Sequence, residues 1–266
     1  MRLFREHIRR TWKMACVGCL GLFAFHMLVV RVFIGFSASD EKMFGGFLPK
    51  GIQAFLGLDK LPINTLTGFL SVAYQHPFVV AAMLAVPVAA ASALLAGEIE
   101  RKTVAVLLSR PVSRSGIVFS CAATVALWCV VMVCAAVAGN LAGIRMFHPA
   151  GADQMGVLYQ VALNLLMLSL AAGGIAVMFS ALTSERGDAA GWTLTVLLLM
   201  YGWNFLAQFW PLAKDSAAFT LFHYYSPARV FLSGAVSMAD CGVLGAVAIG
   251  GVLIGLIAFA RRDLSV

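Results

Sequence analysis

Charge is scarce in this chain: Asp, Glu, Lys and Arg together make up 12% of its 266 residues. With 61% hydrophobic residues and a mean hydropathy of +0.92, that scarcity excludes an ordinary water-exposed globular domain. Phosphate-cradling loops are missing as well. No Gly-x-x-x-x-Gly-Lys-Ser/Thr stretch occurs, and no glycine directly precedes a lysine, so the chain has no P-loop and is expected to hydrolyse no nucleotide itself. Metal-ligand spacing is absent: His7, His26, His76, His148 and His223 are scattered, and neither an HExxH motif nor a Ser-His-acid grouping is visible. No cofactor or metal is therefore expected on this chain, and no enzymatic activity. The six cysteines, at 16, 19, 121, 129, 134 and 241, lie in or at the ends of apolar runs. A disulfide framework or zinc site is thus disfavoured, and thiols buried as small hydrophobes are expected.

What the chain has in abundance is long apolar runs. A helix needs about 20 such residues to cross the hydrocarbon core of a bilayer. Residues 14–36, 73–96, 115–140, 157–182, 189–210 and 240–260 qualify. They predict an all-α polytopic membrane protein of six transmembrane helices, with both termini on one side. Pro77 and Pro87 fall within the second run and are expected to bend it, which neighbouring helices can accommodate. The run at 14–36 is too long for a signal peptide and is not followed by a clear cleavage site.

The net charge of +7 reads as orientation rather than as nucleic-acid binding. Arg2, Arg5, Arg9, Arg10, Lys13, Arg101, Lys102, Arg110, Arg114, Arg186, Arg261 and Arg262 all fall on one side and abut the spans. Basic residues concentrated in this way mark the cytoplasmic face of a bacterial inner membrane, so both termini are expected inside. On the other side, residues 37–72 carry FGGFLPKGIQAFLGLDKLP, which suggests a helix lying at the interface. Residues 211–239 carry FHYYSPARVFLSGAVSM, read as a helical hairpin dipping into the outer leaflet, with His223, Tyr224 and Tyr225 at headgroup level. Gly139 and Gly143, and Gly251 and Gly255, have the spacing that lets helices approach closely; packing within one chain is the expectation, and dimerisation the alternative. For His26, Asn164, Asn204 and Gln208 the expectation is hydrogen bonding between helices.

The densest internal charge is EIERKTVAVLLSRPVSR, residues 98–114, where six of seventeen positions are ionisable. A 3.6-residue period over 98–110 places Glu98, Arg101, Lys102, Ala105 and Ser109 on one arc, with Ile99, Thr103, Val106 and Leu107 opposite. An amphipathic cytoplasmic helix ended by Pro111 is expected. Glu98 should then face solvent. Glu100 should turn toward the bundle and pair with a basic group such as Arg110, Arg114 or Arg186.

The run AGEIERKTVAVLLSRPVSRSGIVFS resembles the signature of ABC-2 type transporter permeases. Gly97, Glu98, Glu100, Thr103, Leu107, Leu108, Ser109, Pro111, Val112, Ser113 and Arg114 match its pattern, and Lys102 stands where glycine is common. YQHP opening the second span, YYSP before the last and the closing Phe-Ala-Arg-Arg-Asp-Leu extend the likeness. The plan is most similar to the six-span group that includes the permease of nitrous-oxide reductase maturation. The resemblance implies one transmembrane domain over 1–266, with an interfacial helix at 1–13 and a coupling-helix region at 97–114. It implies that Glu98, Glu100, Arg101, Lys102, Thr103, Ser109, Pro111 and Arg114 form the ATPase-coupling surface. It also implies two ATPase subunits that bind ATP and magnesium, a second permease copy as a homodimer, contact with membrane lipid, and export as the direction. A secondary carrier and a membrane-embedded enzyme are the competing classes. A carrier would more often show inverted repeats and charges at mid-membrane.

Overall fold

In hydrocarbon every backbone N–H and C=O must find a partner within the chain, and a helix achieves this within each apolar run. The computed structural model describes residues 2–35, 61–103, 113–151 and 155–262, and all its regular elements there are helical. They are α1 (Arg2–Gly35), α2 (Leu66–Gln75), α3 (Pro77–Leu94), α4 (Ala96–Glu100), α5 (Arg114–Phe147), α6 (Met155–Leu182) and α7 (Arg186–Leu206). Short α8 (Pro211–Ser216), a 3-10 turn at Ala217–Phe219, α9 (Leu221–Tyr224) and α10 (Pro227–Ser233) follow, and α11 (Met238–Arg261) is last. Six stretches are long and apolar enough to cross a membrane: Leu3–Gly35, Pro77–Glu100, Arg114–Phe147, Met155–Leu182, Arg186–Leu206 and Met238–Arg261.

Two boundaries and one bend differ from the sequence expectation. The basic residues from 2 to 13 are not a separate interfacial helix but the first turns of the continuous α1. The second span begins at Pro77, not 73, because α2 and α3 are distinct helices. Pro77 bends nothing: it occupies the first turn of α3, where its missing N–H has no helical partner to lose. His76 is extended (ψ 133°), as a residue before proline prefers, and its Nδ1 accepts from the Phe78 N–H at 3.2 Å. Among the described residues, Pro87 is the proline inside a helix, beyond its first turn.

Helix α6 is the axis of the bundle, packing on α3, α5, α7 and α11. Small residues on it, among them Ala171, Ala172, Gly173 and Gly174, are buried and let its neighbours close in. A Cβ at Gly251 of α11 would stand 2.5 Å from the Gly174 carbonyl carbon. A Cβ at Gly139 of α5 would stand 2.3 Å from the Phe23 carbonyl oxygen of α1. Both glycine pairs are thus spent on packing within the chain, as expected. The outer faces of α1, α7 and α11 show Leu20, Leu28, Leu198, Leu199, Leu253 and Ile257 to the surroundings, as lipid contact requires. The cysteines are all free, but only Cys121 and Cys129 are buried; Cys16 and Cys134 face outward, against the expectation of burial.

Polar side chains stitch the elements. Between α1 and α5, Ser120 Oγ meets His7 Nδ1 at 3.2 Å and Trp128 Nε1 donates to Thr11 Oγ1 at 2.8 Å. His26 Nδ1 meets Asn140 Oδ1 at 3.2 Å, while Asn140 Nδ2 donates to the Tyr74 hydroxyl at 3.0 Å. Asn164 of α6 holds the YYSP segment at two points: it donates to the Tyr224 carbonyl and accepts from the Ser226 N–H, both at 3.0 Å. The expected inter-helix roles of His26 and Asn164 are therefore realised. The Tyr74 carbonyl, left open by the break before Pro77, accepts from the Tyr225 hydroxyl at 2.6 Å. Burial pushes the Tyr74 and Tyr225 hydroxyls up, so both stay protonated, Tyr225 donating and Tyr74 accepting. Residues 211–239 are a chain of short helices with Leu221, Phe222, Tyr225 and Val230 buried, while residues 36–60, most of the expected interfacial helix at 37–72, lie outside the described residues.

Candidate functional site

The charges of the chain converge where α1 starts, α4 ends, α5 and α7 start and α11 ends. Glu98 is the centre. Its residue is 2% exposed, and three hydrogen bonds compensate the burial of its carboxylate. Arg10 of α1 pairs with Oε1. Arg101 Nη2 reaches the same oxygen at 3.1 Å and also touches the Ala93 carbonyl at 3.4 Å. Thr103 Oγ1 donates to Oε2 at 2.7 Å and lies 3.1 Å from the Glu98 carbonyl. Arg10 is in turn braced by Glu6, one helical turn away, at 3.2 Å.

The backbone explains how Thr103 gets there. Helix α4 closes with the Thr103 N–H on the Glu98 carbonyl (3.0 Å) and the Lys102 N–H on the Ile99 carbonyl (2.9 Å). That pair of bonds wraps a helix end around a left-handed residue, usually glycine. Here the residue is Lys102, at φ 56°. The position where the permease pattern commonly has glycine is thus the one that needs positive φ.

This geometry reverses one expectation. Glu98 turns into the bundle and Glu100 is exposed, not the other way round. The 3.6-residue wheel was phased on a helix running from 98 to 110, whereas the helix ends at Glu100 and its phase is inherited from α3 through Leu95 (φ −113°, ψ −72°). Glu100 does meet Arg186, but through the backbone. Its Oε2 accepts from the Arg186 N–H at 2.8 Å, placing an anion at the start of α7.

Of the other residues expected here, Arg114 faces a different task. Its Nη1 donates to the carbonyls of Ala260 (3.2 Å) and Arg262 (2.7 Å), at the end of α11. Ser109 and Pro111 lie outside the described residues, as does most of the expected amphipathic helix. Two contributors were not singled out from sequence. Arg10 was one basic residue among many on α1, and only the tertiary pairing with Glu98 sets it apart. Arg262 covers the end of α6, donating to the carbonyls of Ala181 (3.0 Å) and Thr183 (2.7 Å) and to Ser184; the Arg-Arg-Asp-Leu likeness pointed to it without giving a role.

Beside the Glu98 cluster opens a cavity of about 490 Å³, walled by Met14, Ala89, Ala93 and Leu94 and rimmed by Arg10, Arg101 and Arg186. A smaller cavity of about 40 Å³ lies near α2 and α7, lined by Gln75, Tyr201, Asn204 and Tyr225 among others. Among the described residues, no group of three His, Cys, Asp or Glu side chains could hold a metal ion.

Six apolar spans, four of them packed on α6, with an ionic knot at one end, define a multi-pass helical membrane protein. The family described as ABC-2 family transporter protein matches residues 4–264, and the chain belongs to it. It is by that membership a membrane-spanning permease subunit of an ABC transporter. No curated protein matches the chain.

Proposed function

We propose that this chain couples ATP hydrolysis by separate ATPase subunits to export across a bacterial inner membrane, with the loop after its second span as the coupling element. The observation that carries the reading is the Glu98 knot. It ties the start of that loop to α1 through Arg10, to α3 through the Ala93 carbonyl, and, by way of Glu100, to α7. A push on residues 98–103 is therefore felt by three spans at once. Exposed Arg101 and Lys102, with Glu100, offer the charged face for an ATPase; Thr103 braces the turn, and Ser109, Pro111 and Arg114 complete the coupling surface in the permease pattern. ATP drives transport by favouring one bundle arrangement, and its effect is limited to the difference in ATPase affinity between arrangements.

A transporter of this type assembles from two ATPase subunits, each with ATP and magnesium, and two permease copies in surrounding lipid. The order of YQHP, the coupling run, YYSP and FARRDL supports the narrower grouping with the six-span permeases of nitrous-oxide reductase maturation. A secondary carrier would put charge at mid-membrane. Among the described residues the ion pairs join Arg10, Arg101, Glu6 and Glu98 at one end and Arg229 with Asp240 at the start of α11. The test is a photo-crosslinker at position 102 in the chain expressed in its native membrane. Crosslinks to a P-loop ATPase whose yield changes with ATP are expected. Isolation of an active transporter without any ATPase, or nucleotide turnover by the pure chain, overturns the proposal.

A further inference from the structure

The 490 Å³ cavity is not consumed by the ionic knot. Its size falls within the roughly 300–1,000 Å³ of small-ligand sites. It exists because α1 and α7 both pack on α3 while leaving a gap between them, and α3 floors that gap with the half-buried alanines Ala89 and Ala93. The wall is apolar and the rim is cationic: three guanidiniums, of Arg10, Arg101 and Arg186, stand against one carboxylate, Glu98. Glu6 and Glu100 are outside the lining, the first paired with Arg10 Nε and the second on the Arg186 backbone.

We infer that this groove binds an anionic amphiphile, its phosphate head on Arg10, Arg101 and Arg186 and its apolar tail along Met14, Ala89 and Ala93. Guanidinium forks match phosphate oxygens: Arg10 and Arg101, half-exposed, carry more N–H donors than their bonds to Glu6, Glu98 and the Ala93 carbonyl use, and Arg186 is exposed at the rim. Basic pockets between spans at the cytoplasmic end are suited to acidic lipid heads. An inorganic anion would use the rim and leave the apolar wall bare, so the two halves of the lining together specify a lipid. The inference concerns ligand binding and holds or fails whether or not an ATPase docks.

The experiment is native mass spectrometry of the full chain released from neutral detergent, with phosphatidic acid, phosphatidylcholine or inorganic phosphate as probe. Phosphatidic acid is expected as a one-to-one adduct, retained at least about tenfold better than phosphatidylcholine, consistent with charge-assisted contacts. Arg186→Gln removes charge without touching the Glu98 knot, and Ala93→Leu fills the tail channel without changing charge. Each should abolish the adduct while circular dichroism and thermal unfolding stay as in the parent. Equal retention of the two lipids, persistence of the adduct in both folded variants, or phosphate binding that Ala93→Leu leaves intact overturns the assignment. In the last case the site is one for a free oxyanion.

Discussion

Glu98 and Glu100 stand two positions apart and answer to different physics. A carboxylate removed from water costs several kcal/mol unless its oxygens are matched, and Arg10, Arg101 and Thr103 match those of Glu98. Removing it strands two half-exposed guanidiniums that water can still reach, so Glu98→Ala should cost about 1–3 kcal/mol. Removing both arginines strands the buried carboxylate, and Arg10→Ala/Arg101→Ala should cost roughly 3–5 kcal/mol, more than the sum of the single changes. Glu100 is exposed, so Glu100→Ala should cost about 0–1 kcal/mol. Thermal unfolding of the detergent-solubilised permease ranks the set. A larger loss for Glu100→Ala than for Glu98→Ala would contradict the placement. Lys102→Gly provides a check of opposite sign. Left-handed backbone costs a side-chain-bearing residue about 1–2 kcal/mol, and glycine gives part of that back in unfolded-chain entropy, so stability should rise by about 1 kcal/mol.

At the scale of helices, close approach is set by glycines that a methyl group would disturb. Gly139→Ala pushes a Cβ against the Phe23 carbonyl, and the resulting separation of α1 from α5 should cost about 1–3 kcal/mol. Gly202→Ala on α7 meets nothing within 4 Å and should be neutral or stabilising by up to about 1 kcal/mol. Equal melting points for the two variants would show that the glycine seam is not what seats α1. Tyr225→Phe leaves the Tyr74 carbonyl without a donor and should cost about 1–3 kcal/mol, with Tyr224→Phe, at an exposed bond, as the milder control. The six spans were legible because apolar length is a property of composition. The α2–α3 break was not, since apolar residues flank the short Gln75-His76-Pro77 interruption on both sides and only the preference of His76 and Pro77 marks it. The turn at Lys102 escaped for a related reason. A left-handed residue has no periodicity, and a helical wheel assumes the helix continues. The inward face of Glu98 follows the phase set at Leu95, and its partner Arg10 lies 88 positions away, beyond any local pattern.

Across the whole molecule, the first turns of α1, the turn at 98–103, the start of α5 and the ends of α6 and α11 share one end of the bundle, linked by Arg10, Arg114 and Arg262. If that end is cytoplasmic, the side on which basic flanks usually lie, single cysteines at Arg5 and Gly187 in a chain without native cysteines stay unlabelled by an impermeant reagent on intact cells. A cysteine at Ala218 is labelled. The reverse pattern inverts the topology and with it the face offered to an ATPase. The clasp made by Arg262 also bears on how the protein is made. The carbonyls of Ala181 and Thr183 leave the ribosome 81 and 79 residues ahead of the guanidinium that covers them. At about 5–20 residues per second that interval is roughly 4–16 s. During biogenesis, then, the central helix enters the bilayer with its lower end still open, and the insertion machinery or headgroup water must shelter it until the last helix arrives.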